Sequence, residues 1–193
     1  SVDKLVIKYF EIEKNHFITT STALVVALKR NYLQMIDKFC KKNNLKFEFA
    51  DNPHFASDKA LLVNNPHLHE NLVLSLFTTD KFLSLSYLYE SLPVYYKLFP
   101  ISNASEIPDI INIETSSQKH FSVNKEIINY AYISGEDISD SFINTLRETT
   151  GINFTGFNPF EKIPVTEKIS SSTKLQKRIH TFAAAAGIAY RLG

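Results

Sequence analysis

Residues 130–160 read YAYISGEDISDSFINTLRETTGINFTGFNPF, and the alternation of apolar and breaking residues within this stretch decides the fold class. The β-branched and aromatic run at 127–133 reads as a buried strand that stops at Ser134-Gly135, where the chain turns. A helix is predicted next. Ser139 or Asp140 can cap it, and Ile138, Phe142, Ile143 and Leu146 recur at helical spacing on one face. Gly151 supplies a left-handed stop, residues 152–157 start a second strand, and Asn158-Pro159 ends it where a backbone donor is no longer needed. Consecutive parallel strands need a crossover of this kind, so the stretch predicts a parallel strand–helix–strand unit.

Working outward, the same grammar recurs upstream. Residues 22–28 form a strand-like apolar run, 31–42 carry Leu33, Ile36, Phe39 and Cys40 on one helical face, and 45–50 read as a second strand. Each copy closes on Asn-Pro followed shortly by Phe: Asn52-Pro53-His54-Phe55 and Asn158-Pro159-Phe160. Two readings fit, a duplicated architecture and a coincidence of two generic α/β units; the duplication is the one adopted.

The remainder of the chain fills in around these units. Residues 4–13 alternate as a strand, with a turn at Lys14-Asn15-His16, and 53–62 are compatible with a short helix before Asn64-Asn65-Pro66 breaks the chain. Residues 72–77, 82–90 and 92–99 then switch to period two with hairpin-length connections, which predicts an antiparallel meander. A helix is expected over 106–115, and a last one over 173–192, whose run Ala183 to Ala186 with Gly187 permits close packing against a sheet. Residues 71–192 therefore spell three antiparallel strands continuing into parallel ones, the order of a ribonuclease-H-like or actin-type lobe.

Composition bounds the function classes. With 44% hydrophobic and 21% charged residues, the chain is neither disordered nor collagen-like. A formal net charge of +1 provides no overall field to attract nucleic acid, so none is expected as a partner. No apolar run is long enough to span a bilayer, and the single cysteine, Cys40, falls on an apolar helical face, which fits the cytoplasm. Lys38, Lys41, Lys42 and Lys46 form the densest basic cluster, read as a solvated face rather than a phosphate site. The chain opens Ser-Val-Asp without an initiator methionine or signal segment, which suggests a start inside a longer protein or after a removed tag.

Four pieces carry a family resemblance: ALVVALKR at 23–30 running to Leu45-Lys46, YISG at 132–135, the phrase from Gly151-Ile152 to NPFEKI at 158–163, and the ending AAAAGIAYR at 183–191. Over most of its length the sequence resembles the actin-like type IV pilus assembly proteins called PilM, with the cytoplasmic part of GspL as a neighbour. The resemblance implies an α/β fold of actin-like, ribonuclease-H-like type: residues 1–65 as a partial first lobe and 66–193 as the second, with ATP held between lobes. It also implies protein partners, membrane-bound assembly components among them, and a cytoplasmic location peripheral to the inner face of the membrane.

At the nucleotide loops the chain departs from the family. Where the resemblance places an acid, a glycine and a threonine after the strand at 72–76, this sequence has Ser75, Phe77 and Thr79, so the acid and the glycine are absent. On the adenosine side, Ser134-Gly135-Glu136-Asp137 keeps one glycine and adds two carboxylates. The candidate nucleotide-binding residues are Thr78, Thr79, Asp80, Ser134, Gly135 and Glu136. Thr78, Thr79 and Asp80 could also hold a phosphate-linked magnesium ion, although the same residues are common in hairpin loops. Glu136, Asp137 and Asp140 suit a metal or simply a helix start, and His54, His67 and His69 are too few for a metal set. No nucleophile elbow, P-loop or dinucleotide fingerprint is present.

Phe157, Pro159 and Phe160 read as a packed loop or as an exposed anchor for a partner, and the tyrosine-rich strands over 82–99 as partly outward-facing. The expected function is a non-catalytic actin-fold scaffold that binds proteins at the cell envelope, with no cofactor and no metal. The alternative is a nucleotide-binding ATPase or kinase of the same superfamily using ATP with Mg. A third reading, a ribonuclease-H-type metal hydrolase, lacks a carboxylate on its first strand.

Overall fold

The computed structural model describes residues 2–116, 123–163 and 165–192. It divides into two compact units, Ser1–Ala50 and Asp51–Gly193. The helix at 53–64, which the sequence placed with residues 1–65, belongs to the second unit, because its apolar face has its partners there.

In the first unit β1 (Leu5–Ile12) and β2 (Thr22–Lys29) pair antiparallel, with Leu5 opposite Lys29 and Ile12 opposite Thr22. The Asn15 side chain accepts from the Phe17 and Ile18 amides at 2.8 and 3.1 Å and so shapes the connection. Helix α1 (Arg30–Lys42) follows β2 directly and has no buried residue; Tyr32, Met35, Ile36 and Phe39 are all exposed. One expectation fails here. Residues 45–50 form no strand, so the upstream copy of the strand–helix–strand unit is not completed and the duplication does not hold. A strand exists only by pairing, and β2 is paired to β1 while no described strand runs beside 45–50.

The second unit is built on a five-stranded sheet ordered β5-β4-β3-β6-β7. Helix α2 (Pro53–Asn64) leads in: Asn52 caps it by accepting from the His54 amide at 2.8 Å, and Pro53 occupies the first turn, where its missing donor costs nothing. The meander is β3 (Val73–Thr78), β4 (Phe82–Tyr89) and β5 (Leu92–Pro100), antiparallel throughout as predicted. Glu90 and Ser91, at φ 52° and 63°, close the second hairpin in the doubly left-handed conformation that matches strand twist.

Helix α3 (Ile107–Ser116) precedes β6 (Tyr130–Gly135), which joins β3 in parallel. Helix α4 (Asp140–Thr150) then crosses over to β7 (Phe154–Gly156), parallel to β6. The expected signals act as read: Ser139 accepts from the Phe142 amide at 3.2 Å, and Gly151 ends the helix at φ 72°.

Helices cover both faces of this sheet. On one, Leu74, Leu76, Leu83, Leu85, Tyr87 and Ile133 are fully buried under α3 and α4, each leucine contributing about 1.5–3 kcal/mol relative to exposure. On the other, Val73 and Leu88 pack with Ala60, Leu61, Leu68, Phe157, Ala183 and Ala186.

The final predicted helix is broken into α6 (Thr173–Gln176), a 3₁₀ turn Ile179–Phe182 and α7 (Ala183–Leu192), after a one-turn α5 (Glu167–Ser170). Within the turn His180 Nδ1 lies 2.7 Å from the Phe157 carbonyl, a tertiary bond that competes with helix continuation. The small residues of α7 serve close approach to α2 rather than to a sheet. A Cβ on Gly187 would stand 1.6 Å from the Ala56 carbonyl oxygen.

Candidate functional site

The parallel neighbours β3 and β6 end side by side, with Thr78 opposite Gly135. In open α/β sheets the crevice beyond such carboxyl ends is where ligands bind. The structure brings Thr78, Thr79, Asp80, Ser134, Gly135 and Glu136 together there. Gly135 has φ +109°, and an added Cβ would lie 2.1 Å from the Thr78 oxygen, so only glycine lets the two loops approach.

The polar groups of these loops are bonded to one another. The Glu136 amide donates to the Thr78 carbonyl at 2.9 Å, and the Asp80 amide donates to Glu136 Oε2 at 3.3 Å. The Thr79 amide donates to the Phe82 carbonyl at 2.9 Å, while its hydroxyl oxygen accepts from the Lys81 and Phe82 amides at 3.2 and 3.1 Å. The Ser134 hydroxyl turns inward, 2.7 Å from Ser57 Oγ and 3.3 Å from the Leu76 carbonyl. A carboxylate thus sits on an amide that a phosphate oxygen would otherwise need. Phe77, at the position where the resemblance asks for glycine, stacks on His54 with ring centroids 6.0 Å apart and an interplanar angle of 27°.

Beneath Phe77 lies a buried polar group that the sequence reading missed. The Ser75 hydroxyl donates to Asp58 Oδ1 at 2.5 Å, and His54 Nε2 lies 3.1 Å from the same hydroxyl. All three are under 5% exposed. Burial pushes Asp58 up to about 7, against the hydrogen bond from Ser75 and a weaker pull from Ser86, whose hydroxyl has no bond of full geometry among the described residues. Burial lowers His54 to about 3, so the ring is neutral and donates from Nε2 to Ser75. Serine, histidine and carboxylate in contact suggest a hydrolytic triad, but the serine bridges the other two and no substrate can reach it. The group is a structural network joining α2 to β3.

Two signals could have found it. His54 and Asp58 stand at i, i+4 on one face of a helix, and Ser75, Ser84 and Ser86 interrupt apolar strands on one pleat.

The other candidates separate. His67 packs edge-on to Tyr130 at 5.3 Å, His69 Nδ1 bonds the Ser91 hydroxyl at 2.8 Å, and His54 is committed to Ser75, so the three imidazoles do not converge. Among the described residues no three His, Cys, Asp or Glu side chains could hold a metal. Of the two readings of the FNPF segment, the packed loop is the one formed. Phe157 is 2% exposed in the core, Pro159 is buried with its carbonyl accepting from Asn64 Nδ2 at 3.0 Å, and Phe160 packs on Phe182 at 5.6 Å. In the aromatic strands, Tyr95 donates to Glu114 at 2.8 Å on the α3 face, whereas Tyr96 packs on Phe55 at 4.9 Å on the α2 face. Lys41 and Lys46 pair with Asp37 and Glu48, each at 2.8 Å, on a solvated surface. No helix among the described residues is long and apolar enough to cross a membrane.

No family model and no curated protein matches this sequence. Solved structures do. A structure described as the PilM-PilN type IV pilus biogenesis complex superposes with a TM-score of 0.73 at 16% identity, covering 98% of this chain and 67% of that one. A protein of unknown function with an actin-like ATPase fold from Bacteroides thetaiotaomicron aligns at 9% identity and a TM-score of 0.49, over 81% of this chain and 55% of its own. The chain has an actin-like α/β fold, with a mixed five-stranded sheet and a two-stranded antiparallel one.

Proposed function

We propose that this chain is a non-catalytic scaffold of actin-like fold that works by holding protein partners in an assembly at the cell envelope. The observation that carries the reading is the mutual bonding of the two loops at the ends of β3 and β6, where Glu136 accepts from the Asp80 amide and donates its own amide to Thr78. A nucleotide phosphate would have to break these bonds, and Phe77 stands where the backbone would need to come close. The solved structure it resembles is a complex of two proteins, which supports a protein partner here, of the pilus-assembly kind. Such a scaffold would work in the cytoplasm, peripheral to the inner face of the membrane.

The second reading, an ATPase or kinase using ATP with Mg, is favoured by one fact: Thr78, Asp80 and Gly135 do meet at the expected crevice. Calorimetric titration of the chain with Mg-ATP, alongside a phosphate-release assay, separates the two. The scaffold reading expects no heat of binding and no turnover; saturable binding or sustained phosphate release overturns it.

A further inference from the structure

We propose that residues 45–50 are a pairing edge through which a second copy of this chain docks, antiparallel, on the first unit. The segment reads Leu45-Lys46-Phe47-Glu48-Phe49-Ala50, and apolar and charged residues alternate from Leu45 to Phe49. Its sequence is that of a half-buried strand, yet it forms none. Among the described residues its only backbone hydrogen bond runs from the Leu45 amide to the Cys40 carbonyl at 2.8 Å, so the remaining amides and carbonyls are free to pair. Leu45 is 56% exposed and Phe49 37%, with Phe47 half-buried between them. Lys46 and Glu48 reach each other at 2.8 Å, which puts both charges on one side and the apolar set on the other.

This pattern is complementary to itself. In an antiparallel pair centred on Phe47, the two Phe47 rings face each other, each Leu45 faces the other copy's Phe49, and each Lys46 faces the other copy's Glu48. The contact is isologous, each copy offering the same edge to the other about a two-fold axis. The two Lys46–Glu48 ion pairs, one within each chain, are exchanged for two between chains, and the apolar sets of the two copies lie side by side on one face. The exposed stripe of α1, with Met35 61% and Phe39 63% exposed, lies immediately upstream and offers further apolar area. The charge alternation selects the occupant, since a generic apolar peptide would leave Lys46 and Glu48 without cross-strand partners.

Sedimentation of the full chain over a micromolar concentration series tests the proposal, with circular dichroism to confirm that each variant folds. The wild type is expected to move from one to two chain masses as concentration rises. Lys46→Glu and Glu48→Lys each place like charges opposite one another at both ends of the pair and should weaken dimerisation about tenfold. Mixing the two single variants restores opposite charges, so the mixture should dimerise where neither does alone. Phe47→Asp should leave only monomer. A wild type that stays monomeric across the series, a charge variant that dimerises as well as the wild type, or a mixture that fails to pair overturns the proposal; the first of these would give the edge to a different polypeptide.

Discussion

The Ser75 hydroxyl lies 2.5 Å from the Asp58 carboxylate, in a site closed to solvent between β3 and α2. Ser75 stands where the family resemblance places an acid, and the carboxylate comes instead from the neighbouring helix, buried and bonded rather than presented to a crevice. This substitution of a packed network for an open acid is the local form of the scaffold reading.

The network makes stability depend on pH in two opposing ways. Asp58, raised from 3.8 to about 7, stabilises fully below its unfolded value, and that contribution is lost as pH rises toward 7. His54, lowered from 6.5 to about 3, contributes fully above 6.5 and loses its contribution as pH falls. Between about 4 and 6.5 the two slopes oppose each other. Relative to the wild type, Asp58→Asn should lose stability as pH falls through that window, and His54→Gln should gain it. Urea denaturation at a series of pH values checks this; variant profiles parallel to the wild type would contradict it.

Gly135 is a sharp steric test of the loop pair. Gly135→Ala adds a Cβ 2.1 Å from the Thr78 oxygen at φ +109°, and a cost of about 2 kcal/mol or more is expected. Chemical denaturation measures it. A loss of a few tenths would mean that the loops separate easily and that the bonds between Glu136, Thr78 and Asp80 are not held.

Two further glycines should rank in a set order. Gly151→Ala meets no atom within 4 Å and suffers only its left-handed φ of 72°, about 1 kcal/mol. Gly187→Ala meets the Ala56 backbone at 1.6 Å and forces α7 from α2, which exceeds the about 1 kcal/mol of helix propensity that alanine gains. Thermal melting should therefore place the Gly187 variant well below the Gly151 variant; the reverse order would contradict the helix packing described.

Replacing Ser139 by alanine removes the oxygen that accepts from the Phe142 amide at 3.2 Å, at an expected cost of about 1 kcal/mol. Ser139→Asp should retain the cap and match the wild type in the same denaturation experiment.

What was legible in the sequence was whatever depends on local chemistry. Ser139 and Gly151 bound α4, the helix-compatible run at 53–62 lies within α2, and the alternating runs of the meander and the crossover to β7 form as read. Pairing was not legible. Residues 45–50 have strand chemistry and no partner, and residues 173–192 have helical composition but break where His180 reaches the Phe157 carbonyl. At the candidate site, Thr78 and Gly135 could be placed together from their strands. The i, i+4 spacing of His54 and Asp58 and the serines on one pleat mark the two halves of the buried network, but that they meet follows only from α2 lying across β3, a tertiary fact.

The midpoint of thermal unfolding, measured with and without millimolar Mg-ATP, tests the scaffold reading most directly. A ligand present at about a hundred times its dissociation constant adds roughly 2.7 kcal/mol, which moves the midpoint of a chain of this size by several degrees. With the loops of β3 and β6 bonded to each other, no shift is expected. A reproducible rise of several degrees, abolished by Gly135→Ala under conditions where that variant remains folded, would contradict it and establish a nucleotide site at this crevice.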